Sequence, residues 1–376
     1  MDFRNKKSVF LLTYPPNPRI MKRIEALAEI SNNIKIIFWD RFSDFLKYSS
    51  YFKVIPIRVS NSSNFYIRII NGLLLTFKSL RYLFNCKPEL IYIDGIDMVL
   101  PAFLYKYLSC RKTKLILEIA DIPIIRYRKK HKLLGSILEK LTNLFVSKVD
   151  LLILTSPYFW SDYYSKVYPH QEKVIFIENV PEKSLFMNFR SGTHEDFVIG
   201  FVGFIRYVKQ LEVLFDACRS LEGVRIIIAG SGPEAPQLER IIGNYQNVYF
   251  LGPYDYRKDV LKIYSQIDLV YAVYDTTLEN VRVALPNKLY EAIVCEIPIV
   301  VARGTELSDY VEKLGVGFSV SDNNPEELRN LIIQLKNNPD IIKDIKEREK
   351  RIKEKFYWEN IKEDFKKKIL DLINEY

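Results

Sequence analysis

Residues 285–301 read LPNKLYEAIVCEIPIVV, and this stretch decides how the second half of the chain folds. Pro286 opens a short helical run, because proline fits the first turn of a helix. Pro298 ends the run, and an apolar strand follows it. A helix that leads into a buried strand is the repeating unit of parallel α/β sheets. Glu291 lies where the helix face meets a loop, and a carboxylate there can accept hydrogen bonds from ligand hydroxyls.

The same alternation runs along the whole chain and predicts an α/β protein with two Rossmann-like domains. Apolar runs such as 198–202 indicate buried strands, and periodic runs such as 67–84 and 210–220 indicate helices. A chain of 376 residues exceeds what one core usually serves. The polar stretch around Gly192 separates the halves. The predicted parts are an N-terminal domain over 1–190, a C-terminal domain over 191–355 and a closing helix over 356–376.

Composition narrows the class of protein. With 48% apolar and 14% aromatic residues the chain has enough material for packed cores. No uncharged apolar run reaches the length of a membrane span, and the first residues favour a strand over a signal peptide. The four cysteines are scattered, which favours a reducing cytosol and argues against a disulfide framework or a zinc site. The three histidines are far apart in the sequence, which argues against a histidine-based metal centre. We therefore expect a cytoplasmic protein without a bound metal.

Charge is spread unevenly. Residues 1–190 hold 30 Lys+Arg and 16 Asp+Glu, a net charge of +14, whereas the remainder holds 25 and 30, a net charge of −5. A basic first half indicates an anionic partner, either a membrane surface, a pyrophosphate-linked lipid or a nucleic acid. A nucleic acid is the least favoured of these, because no nucleic-acid-binding motif accompanies the charge.

The basic segment 126–132 precedes an amphipathic helix. Such a cluster beside an apolar helix can dock on anionic lipid, which makes it a candidate for peripheral contact at the inner membrane face. The same pattern fits a helix packed in the core with solvated cations beside it, and both interpretations stay open.

A glycine turn at the start of the second half has the properties of a phosphate site. A strand runs into Gly203, and a helix begins a few residues later. Backbone N–H groups and the helix dipole attract phosphate at such a place. Arg206 and Lys209, three residues apart, are suited to hold a diphosphate from two sides.

These residues together resemble the nucleotide-sugar site of the group 1 GT-B glycosyltransferases, in the branch that carries Pro-Asn-Lys before the helix. In that family a Gly, an Arg and a Lys bind the donor diphosphate, and Lys209 has the expected spacing from Gly203. Glu291 matches the glutamate that holds the ribose diol. Asn287 and Lys288 are the branch residues expected near the sugar or phosphate.

The chain departs from the family pattern at four positions. Phe204 occupies the usual place of the arginine, so that Arg206 is a displaced substitute. Val283 stands where the first glutamate of the family's pair would contact the donor sugar. Glu296 replaces a usual glycine, and Ala120 replaces a histidine near the transferred sugar. These departures indicate an altered donor preference or a weak activity.

Further loops in the second half resemble donor-binding elements of the family. Gly304 and Thr305 follow a strand and could present N–H groups to the donor, although Thr305 also fits a plain helix cap. Tyr254 follows the strand where the family binds the base. The Gly-x-Gly turn at 230–232 is read as structural.

Acidic residues at the strand ends of the first half are the candidates for the acceptor side. Asp121 follows Glu118 and keeps the Asp of a family His-Asp pair, and it could orient or deprotonate an acceptor hydroxyl. Asp94 and Asp97 end another strand, where Asp94 also fits a helix cap. No Asp-x-Asp pair is present, in keeping with a metal-independent enzyme without a further cofactor.

The resemblance implies two Rossmann-like domains facing across a cleft, with a C-terminal helix that crosses back to the first domain. It implies sugar transfer, with retention, from a nucleotide-diphosphate sugar to a glycan or a lipid-pyrophosphate-linked acceptor, as in surface polysaccharide biosynthesis. Two alternatives stay open. One is a degenerate, non-catalytic subunit, and the other is a nucleotide-sugar epimerase of the same fold.

Overall fold

The computed structural model describes residues 3–40, 52–59, 65–109, 111–121 and 132–374. The chain forms two compact units. Unit 1 combines Met1–Glu178 with Ile361–Tyr376, and unit 2 is Asn179–Asn360. Each unit contains one parallel sheet with helices, as the α/β prediction requires. No helix in the described ranges has the length and apolar character needed to cross a bilayer.

The sheet of unit 1 has seven described strands in the order β3-β2-β1-β4-β5-β6-β7, and every neighbouring pair is parallel. Their bounds are β1 Lys7–Leu12, β2 Asn33–Asp40, β3 Lys53–Arg58, β4 Leu90–Asp94, β5 Lys114–Ile119, β6 Leu151–Leu154 and β7 Val174–Phe176. The sequence does not predict β3, because Pro56 interrupts its pattern. Proline is accepted there because β3 is an edge strand, where a missing N–H leaves no neighbour unpaired.

Helices of unit 1 connect these strands, and the last helix of the chain joins them. Their bounds are α1 Pro18–Ala28, α2 Phe65–Cys86, α3 Val99–Leu108, α4 Lys132–Val146, α5 Pro157–Asp162 and, at the end of the chain, α15 Trp358–Asn374. Phe365 of α15 is buried, and its ring centroid lies 6.3 Å from that of Tyr92 on β4. The C-terminal helix therefore packs into unit 1, as the resemblance implied.

The sheet of unit 2 has six described strands in the order β10-β9-β8-β11-β12-β13, again all parallel. Their bounds are β8 Phe197–Val202, β9 Val224–Ala229, β10 Val248–Gly252, β11 Leu269–Ala272, β12 Ile299–Ala302 and β13 Gly317–Val320. The strand order reverses between β8 and β11. Such a point is where open α/β sheets bind ligands, outside the carboxyl ends of the strands.

Nine helices of unit 2 lie within the described part of the chain. Their bounds are α6 Lys183–Phe186, α7 Val208–Cys218, α8 Ala235–Ile242, α9 Tyr256–Tyr264, α10 Glu279–Val283, α11 Asn287–Val294, α12 Glu306–Leu314, α13 Pro325–Asn337 and α14 Pro339–Ile352. Every residue of α11 after Asn287 is buried, including Lys288 and Glu291. Helix α11 thus carries two charged side chains into the interior of unit 2.

Candidate functional site in unit 2

The reversal point of the unit 2 sheet gathers several of the predicted residues. Gly203 follows β8 and has a φ of +129°, which glycine adopts without strain. Tyr274 lies just beyond β11, and Lys288 Nζ donates to its hydroxyl at 3.1 Å. Glu291 lies on the same helix as Lys288. The site is therefore built from two strand ends and one helix.

The Gly-x-Gly turn at 230–232 packs directly against the Gly203 turn. A Cβ on Gly230 would lie 1.7 Å from the carbonyl oxygen of Gly203, and one on Gly232 would lie 2.1 Å from that of Ile205. Only glycine allows backbones to approach this closely. The structural interpretation of this turn is thus consistent with its contacts.

Lys288 is the least expected feature of the site, because its charged side chain is buried. Its Nζ lies 4.3 Å from the ring centroid of Phe201 and 5.4 Å from that of Tyr274, in cation–π contact. A Cβ on Gly203 would lie 3.1 Å from this ammonium group. Burial lowers the pKa of Lys288 to about 8, with Glu291 opposing and Arg206 adding to the shift. Lys288 therefore points at the backbone of the glycine turn.

Glu291 is held by a set of hydrogen bonds. Its Oε1 accepts from the Tyr256 hydroxyl at 2.7 Å and from Asn287 Nδ2 at 3.0 Å, and its Oε2 accepts from the Tyr264 hydroxyl at 2.7 Å. Burial raises the pKa of both tyrosines well above the usual range, and the carboxylate charge adds to it. A carboxylate has about four acceptor positions, so these bonds leave about one for a ligand.

The start of helix α7 already holds an anion from the chain itself. Glu234 Oε2 accepts from the backbone N–H groups of Tyr207 at 3.1 Å and Val208 at 2.9 Å. A carboxylate is favoured there because the N–H groups and the helix dipole attract negative charge. The sequence predicts phosphate binding at this helix start, whereas in the structure Glu234 uses two of its N–H groups.

Arg206 lies in the loop that follows Gly203, and Lys209 lies in the first turn of α7. The Arg206 guanidinium carbon is 4.8 Å from the ring centroid of Phe204 and 6.0 Å from that of Tyr207. Phe204, which stands in the arginine position of the family, is exposed and supports the displaced arginine by stacking. Lys209 is exposed at the start of α7.

The other predicted donor residues have different surroundings. Thr305 caps α12 in a capping box with Ser308, and its N–H donates to Ser308 Oγ at 3.2 Å. Gly304 is exposed, has a φ of +77° and has open space where a Cβ would be. Tyr254 is partly buried, and burial together with the charge of Glu291 raises its pKa. The backbone of Gly304 therefore has open space beside it for a ligand, whereas the N–H of Thr305 already donates within the cap.

In unit 1, the predicted acidic residues Asp94 and Glu118 share one arginine. Arg19 Nη2 donates to Asp94 Oδ1 at 2.7 Å, and Arg19 Nη1 donates to Glu118 Oε1. Arg23 Nε lies 3.5 Å from Glu118 Oε2, which also accepts from the Tyr92 hydroxyl. Both carboxylates are buried, so the network neutralises charge inside unit 1.

The two carboxylates respond differently to this environment. Burial raises the pKa of Asp94 although Arg19 opposes it. Burial also acts to raise the pKa of Glu118, but the charges of Arg19 and Arg23 hold it below its usual range. Both oxygens of Glu118 accept hydrogen bonds within the network, and its acceptor-side role stays a prediction.

The remaining unit 1 candidates are exposed. Asp97 lies in the short 3-10 turn Ile96–Met98, and Asp121 follows β5. Both lie beyond the carboxyl ends of strands, as predicted, and their roles stay predictions. Residues 126–131 of the basic segment lie outside the described residues, and of Lys132 only the backbone is described. No three His, Cys, Asp or Glu side chains in the described ranges gather as metal ligands would, and the prediction of a metal-free enzyme stays untested.

Comparison with known proteins gives the family of this site. Residues 171–355 match the sequence profile of the family described as glycosyl transferases group 1. This segment is a group 1 glycosyltransferase domain. The match covers nearly all of unit 2 and contains Gly203, Lys288 and Glu291, whose roles in binding a donor stay predictions.

Two relatives are similar to this glycosyltransferase in sequence, and one solved structure is similar to it in fold. An uncharacterised glycosyltransferase of Methanocaldococcus jannaschii is 28% identical over 182 residues, which make up 46% of this chain and 45% of that protein. The succinoglycan biosynthesis protein ExoL of Rhizobium meliloti is 24% identical over 261 residues, or 65% of this chain and 64% of that protein. The chain thus aligns with less than two thirds of either relative.

The crystal structure of HepE from Anabaena, in complex with UDP and glucose, resembles this glycosyltransferase over its whole length. The two share 16% sequence identity and superpose with a TM-score of 0.74, over 99% of this chain and 100% of that one. At this identity the likeness concerns the fold alone. It confirms the predicted fold class, a GT-B architecture of two parallel α/β units.

Several residues that contact the predicted site residues within each unit were not found from the sequence. They are Tyr256, Tyr264, Tyr274 and Glu234 in unit 2, and Arg19 and Arg23 in unit 1. A composition of 25 tyrosines is a weak signal, because it does not say which hydroxyls meet a carboxylate. Arg19 has a better signal, since it lies in the first helical turn after β1, at the carboxyl edge of the sheet.

Proposed function

We propose that this chain transfers a sugar from a nucleotide-diphosphate sugar to a hydroxyl of a glycan acceptor, with the donor bound at the reversal point of the unit 2 sheet. The observation that carries the proposal is Lys288. Its ammonium group is buried beneath the Gly203 turn, at the edge of the sheet where this class of fold takes its ligands.

A buried cation is costly unless an anion or several acceptors compensate it. Among the described residues, the hydrogen-bond acceptor of Lys288 is a phenol, Tyr274, and no carboxylate lies within ion-pair distance of its Nζ. Arg206 is close enough to lower the pKa of Lys288 further, so the site holds two positive charges near each other. A diphosphate would supply the missing negative charge, which supports a nucleotide-diphosphate donor.

The donor would be held from several sides. Lys288, Arg206 and Lys209 bind the diphosphate, and Gly203 lets it approach the backbone. Glu291 accepts a hydrogen bond from the ribose, and Asn287 orients that carboxylate through its amide. Tyr254, Gly304 and Thr305 line the rest of the donor. HepE, whose fold this chain shares, holds UDP and glucose, which favours a uridine donor as the first to be tested.

Catalysis in this proposal rests mainly on charge. As the bond between the anomeric carbon and the diphosphate oxygen breaks, the leaving group gains negative charge that Arg206 and Lys209 stabilise. The acceptor oxygen forms the new bond on the same face of the sugar, so configuration is retained, and its proton leaves with the departing group. Asp121 would orient the acceptor hydroxyl, with Asp97, Asp94 and Glu118 on the acceptor side. No metal or further cofactor enters the proposal.

The acceptor is proposed from charge and from relatives. Unit 1 contains most of the basic half of the chain, which suits an acceptor carried on a lipid pyrophosphate. A relative, ExoL, is a succinoglycan biosynthesis protein, which supports a place in polysaccharide biosynthesis. Such a reaction would take place in the cytoplasm or at the inner membrane face.

The first experiment is thermal unfolding of the purified chain with UDP-, GDP- and ADP-sugars, beside a Lys288→Met variant. A stabilising shift with one donor that the variant loses supports the donor site. The matched control is Lys336→Met, which removes a lysine on α13 that bonds the Glu222 carbonyl instead. An unchanged shift in Lys288→Met overturns the placement of the diphosphate.

The same donors then separate the three functions. A transferase passes the sugar to an added acceptor, and nuclear magnetic resonance of the product shows whether the anomeric configuration is retained. An epimerase changes the sugar of the donor without any acceptor. A folded protein that no nucleotide sugar stabilises would instead be the degenerate subunit suggested by Val283 and Ala120.

A further inference from the structure

Three helices of unit 1 hold large apolar side chains in solvent. The most exposed are Phe77 at 68%, Leu73 at 63% and Leu108 at 62%. We call the set the apolar face; its members are Ile67, Ile70, Leu73, Leu74, Phe77 and Phe84 of α2, Tyr107 and Leu108 of α3, and Ile137, Leu141 and Leu144 of α4. Scattered apolar residues are normal on a surface, but a set concentrated on three helices indicates an interaction site.

The face has a regular origin in the sequence of α2. Positions 67, 70, 74, 77 and 84 recur with helical spacing on one side, whereas Leu75, Ser79, Leu83 and Cys86 are buried on the other side. Helix α2 is therefore apolar on both sides. One side packs on the core of unit 1, whereas the other is exposed to solvent in the part of the chain that the structure describes.

The three helices are neighbours. Helix α2 connects β3 to β4, α3 connects β4 to β5, and α4 connects β5 to β6, so all three steps lead toward the β7 edge of the sheet. Right-handed crossovers place helices with the same direction of step on one face of the sheet. Ring contacts join them: Phe84 of α2 lies 5.2 Å from Tyr105 of α3, and Phe103 of α3 lies 5.0 Å from Phe145 of α4. The exposed side chains thus belong to one continuous layer of helices.

The charge of this layer selects its partner. Helices α2, α3 and α4 contain six Lys+Arg and one Asp+Glu, so their net charge is 6 − 1 = +5. Lys78, Arg81 and Lys140 are exposed beside the apolar side chains. Apolar side chains flanked by cations, almost without acids, are typical of surfaces that lie in the headgroup region of an anionic bilayer. A second copy would bring two sets of exposed cations, Lys78, Arg81 and Lys140, close together, which electrostatic repulsion opposes.

We propose that the apolar face of α2, α3 and α4 docks on the surface of an anionic lipid bilayer. The long apolar side chains enter the boundary between headgroups and acyl chains, and the flanking cations contact lipid phosphates. This surface lies on described helices and does not depend on the segment 126–132. It is also independent of the proposed sugar transfer, because it needs neither donor nor acceptor.

Vesicle flotation of the full chain tests the proposal directly. We expect the protein to float with mixed phosphatidylcholine–phosphatidylglycerol vesicles and much less with phosphatidylcholine alone, with weaker binding at high salt. The variant Leu73→Gln/Phe77→Gln/Leu141→Gln should lose at least about tenfold in partitioning. A matched control is Met187→Gln/Tyr249→Gln/Leu251→Gln, which replaces three other exposed apolar residues, in unit 2, and should float like the wild type.

A second variant separates charge from folding defects. Lys78→Glu/Arg81→Glu changes only exposed side chains and should also weaken binding to the anionic vesicles by at least about tenfold. A wild-type protein that floats with neither vesicle overturns the proposal, whatever the variants do. So does a concentration-dependent dimer in light scattering that the triple variant abolishes without any vesicle binding, since the face would then be an interface between copies.

Discussion

Lys288 keeps its ammonium group where two aromatic rings and a phenol surround it, and this position makes its charge sensitive to pH. Burial lowers its pKa to about 8, well below that of an exposed lysine. Below that pH the side chain is charged and attracts a diphosphate, and above it the neutral amine does not. The residue that supports the donor site therefore changes its charge near pH 8.

We predict that donor affinity falls as the pH rises through about 8. Isothermal titration of the donor across this range is the measurement. Lys288→Met should bind at least about tenfold more weakly and lose the pH dependence, because one charge-assisted contact is removed. Lys209→Met, in the first turn of α7, should weaken binding but keep the dependence on pH. A wild-type affinity that stays flat across the range would show that Lys288 does not contact the diphosphate.

Glu291 gives a second prediction at the scale of one residue. In the wild type both carboxylate oxygens of Glu291 accept from tyrosine hydroxyls. In Glu291→Gln an amide nitrogen, which is a donor, replaces one of these oxygens, so one tyrosine hydroxyl loses its acceptor. We expect a loss of about 1–3 kcal/mol in the free energy of unfolding and at least tenfold in donor affinity. Tyr264→Phe is the matched control, because it removes one hydrogen bond to the carboxylate and should leave most of the donor affinity.

At the scale of elements, the end of helix α11 explains one departure from the family pattern. Glu296 has a φ of +54°, the left-handed conformation in which a helix commonly ends with glycine. Its carboxylate pairs with Lys353 at 2.7 Å. The family's usual glycine thus meets a backbone requirement, and the glutamate tolerates the strain while gaining an ion pair.

We predict that Glu296→Gly is more stable than Glu296→Ala by about 1 kcal/mol, because both lose the ion pair but only glycine relieves the positive φ. Chemical unfolding of the two variants measures the difference. Equal stabilities would mean that the backbone at position 296 is not under strain.

Helix α14 brings a second carboxyl group to the same region. Glu349 is fully buried, and its oxygens have no hydrogen-bond partner among the residues described. Burial raises its pKa well above the usual range, and the charge of Glu296 adds to the shift. The folded protein therefore binds this proton more tightly than the unfolded chain, so the contribution of Glu349 to stability is greatest in acid and falls as the pH rises above its unfolded pKa.

We predict that Glu349→Gln removes this fall. The free energy of unfolding of the variant minus that of the wild type should rise by up to about 1.4 kcal/mol for each pH unit above about pH 4.3. Unfolding curves measured at several pH values test this. Glu347→Gln, an exposed glutamate on the same helix, should follow the wild type. A wild type whose stability does not change relative to Glu349→Gln would contradict the buried, protonated state.

At the scale of the whole molecule, the chain leaves unit 1 after Glu178 and returns to it at Ile361. Helix α15 makes the contacts that hold the returning segment in unit 1. Phe365 contacts Tyr92, the Arg23 guanidinium carbon lies 6.0 Å from the Phe365 ring centroid, and Lys366 pairs with Glu29 at 2.8 Å. Unit 1 is therefore completed only when the last residues of the chain have folded.

We predict that Phe365→Ala lowers the free energy of unfolding of unit 1 by about 3–5 kcal/mol, because it leaves a cavity beside a buried ion network. Denaturant unfolding followed by probes in each unit tests it. Lys368→Ala, at an exposed position of α15, should change stability little. A loss confined to unit 2 would show that α15 does not complete unit 1.

Local patterns in the sequence were enough to predict most elements of the fold. The predicted strand 198–202 is observed as Phe197–Val202, and the predicted helix 67–84 as Phe65–Cys86. Strand β3 was not predicted, because Pro56 and the charged residues at its two ends interrupt the apolar pattern that indicates a strand. The boundaries differ by about two residues, since capping and side-chain packing decide where a helix ends.

The sequence by itself determined the parallel α/β class, the glycine turn at Gly203 and the positions of Lys288 and Glu291 on one helix, because periodicity and spacing along the chain suffice for these. Only the tertiary structure decided that Lys288 is buried under that turn, that tyrosines 256 and 264 hold Glu291, and that Glu234 binds the start of α7. These contacts join residues far apart in the chain, and no local pattern encodes which distant side chain meets a buried charge.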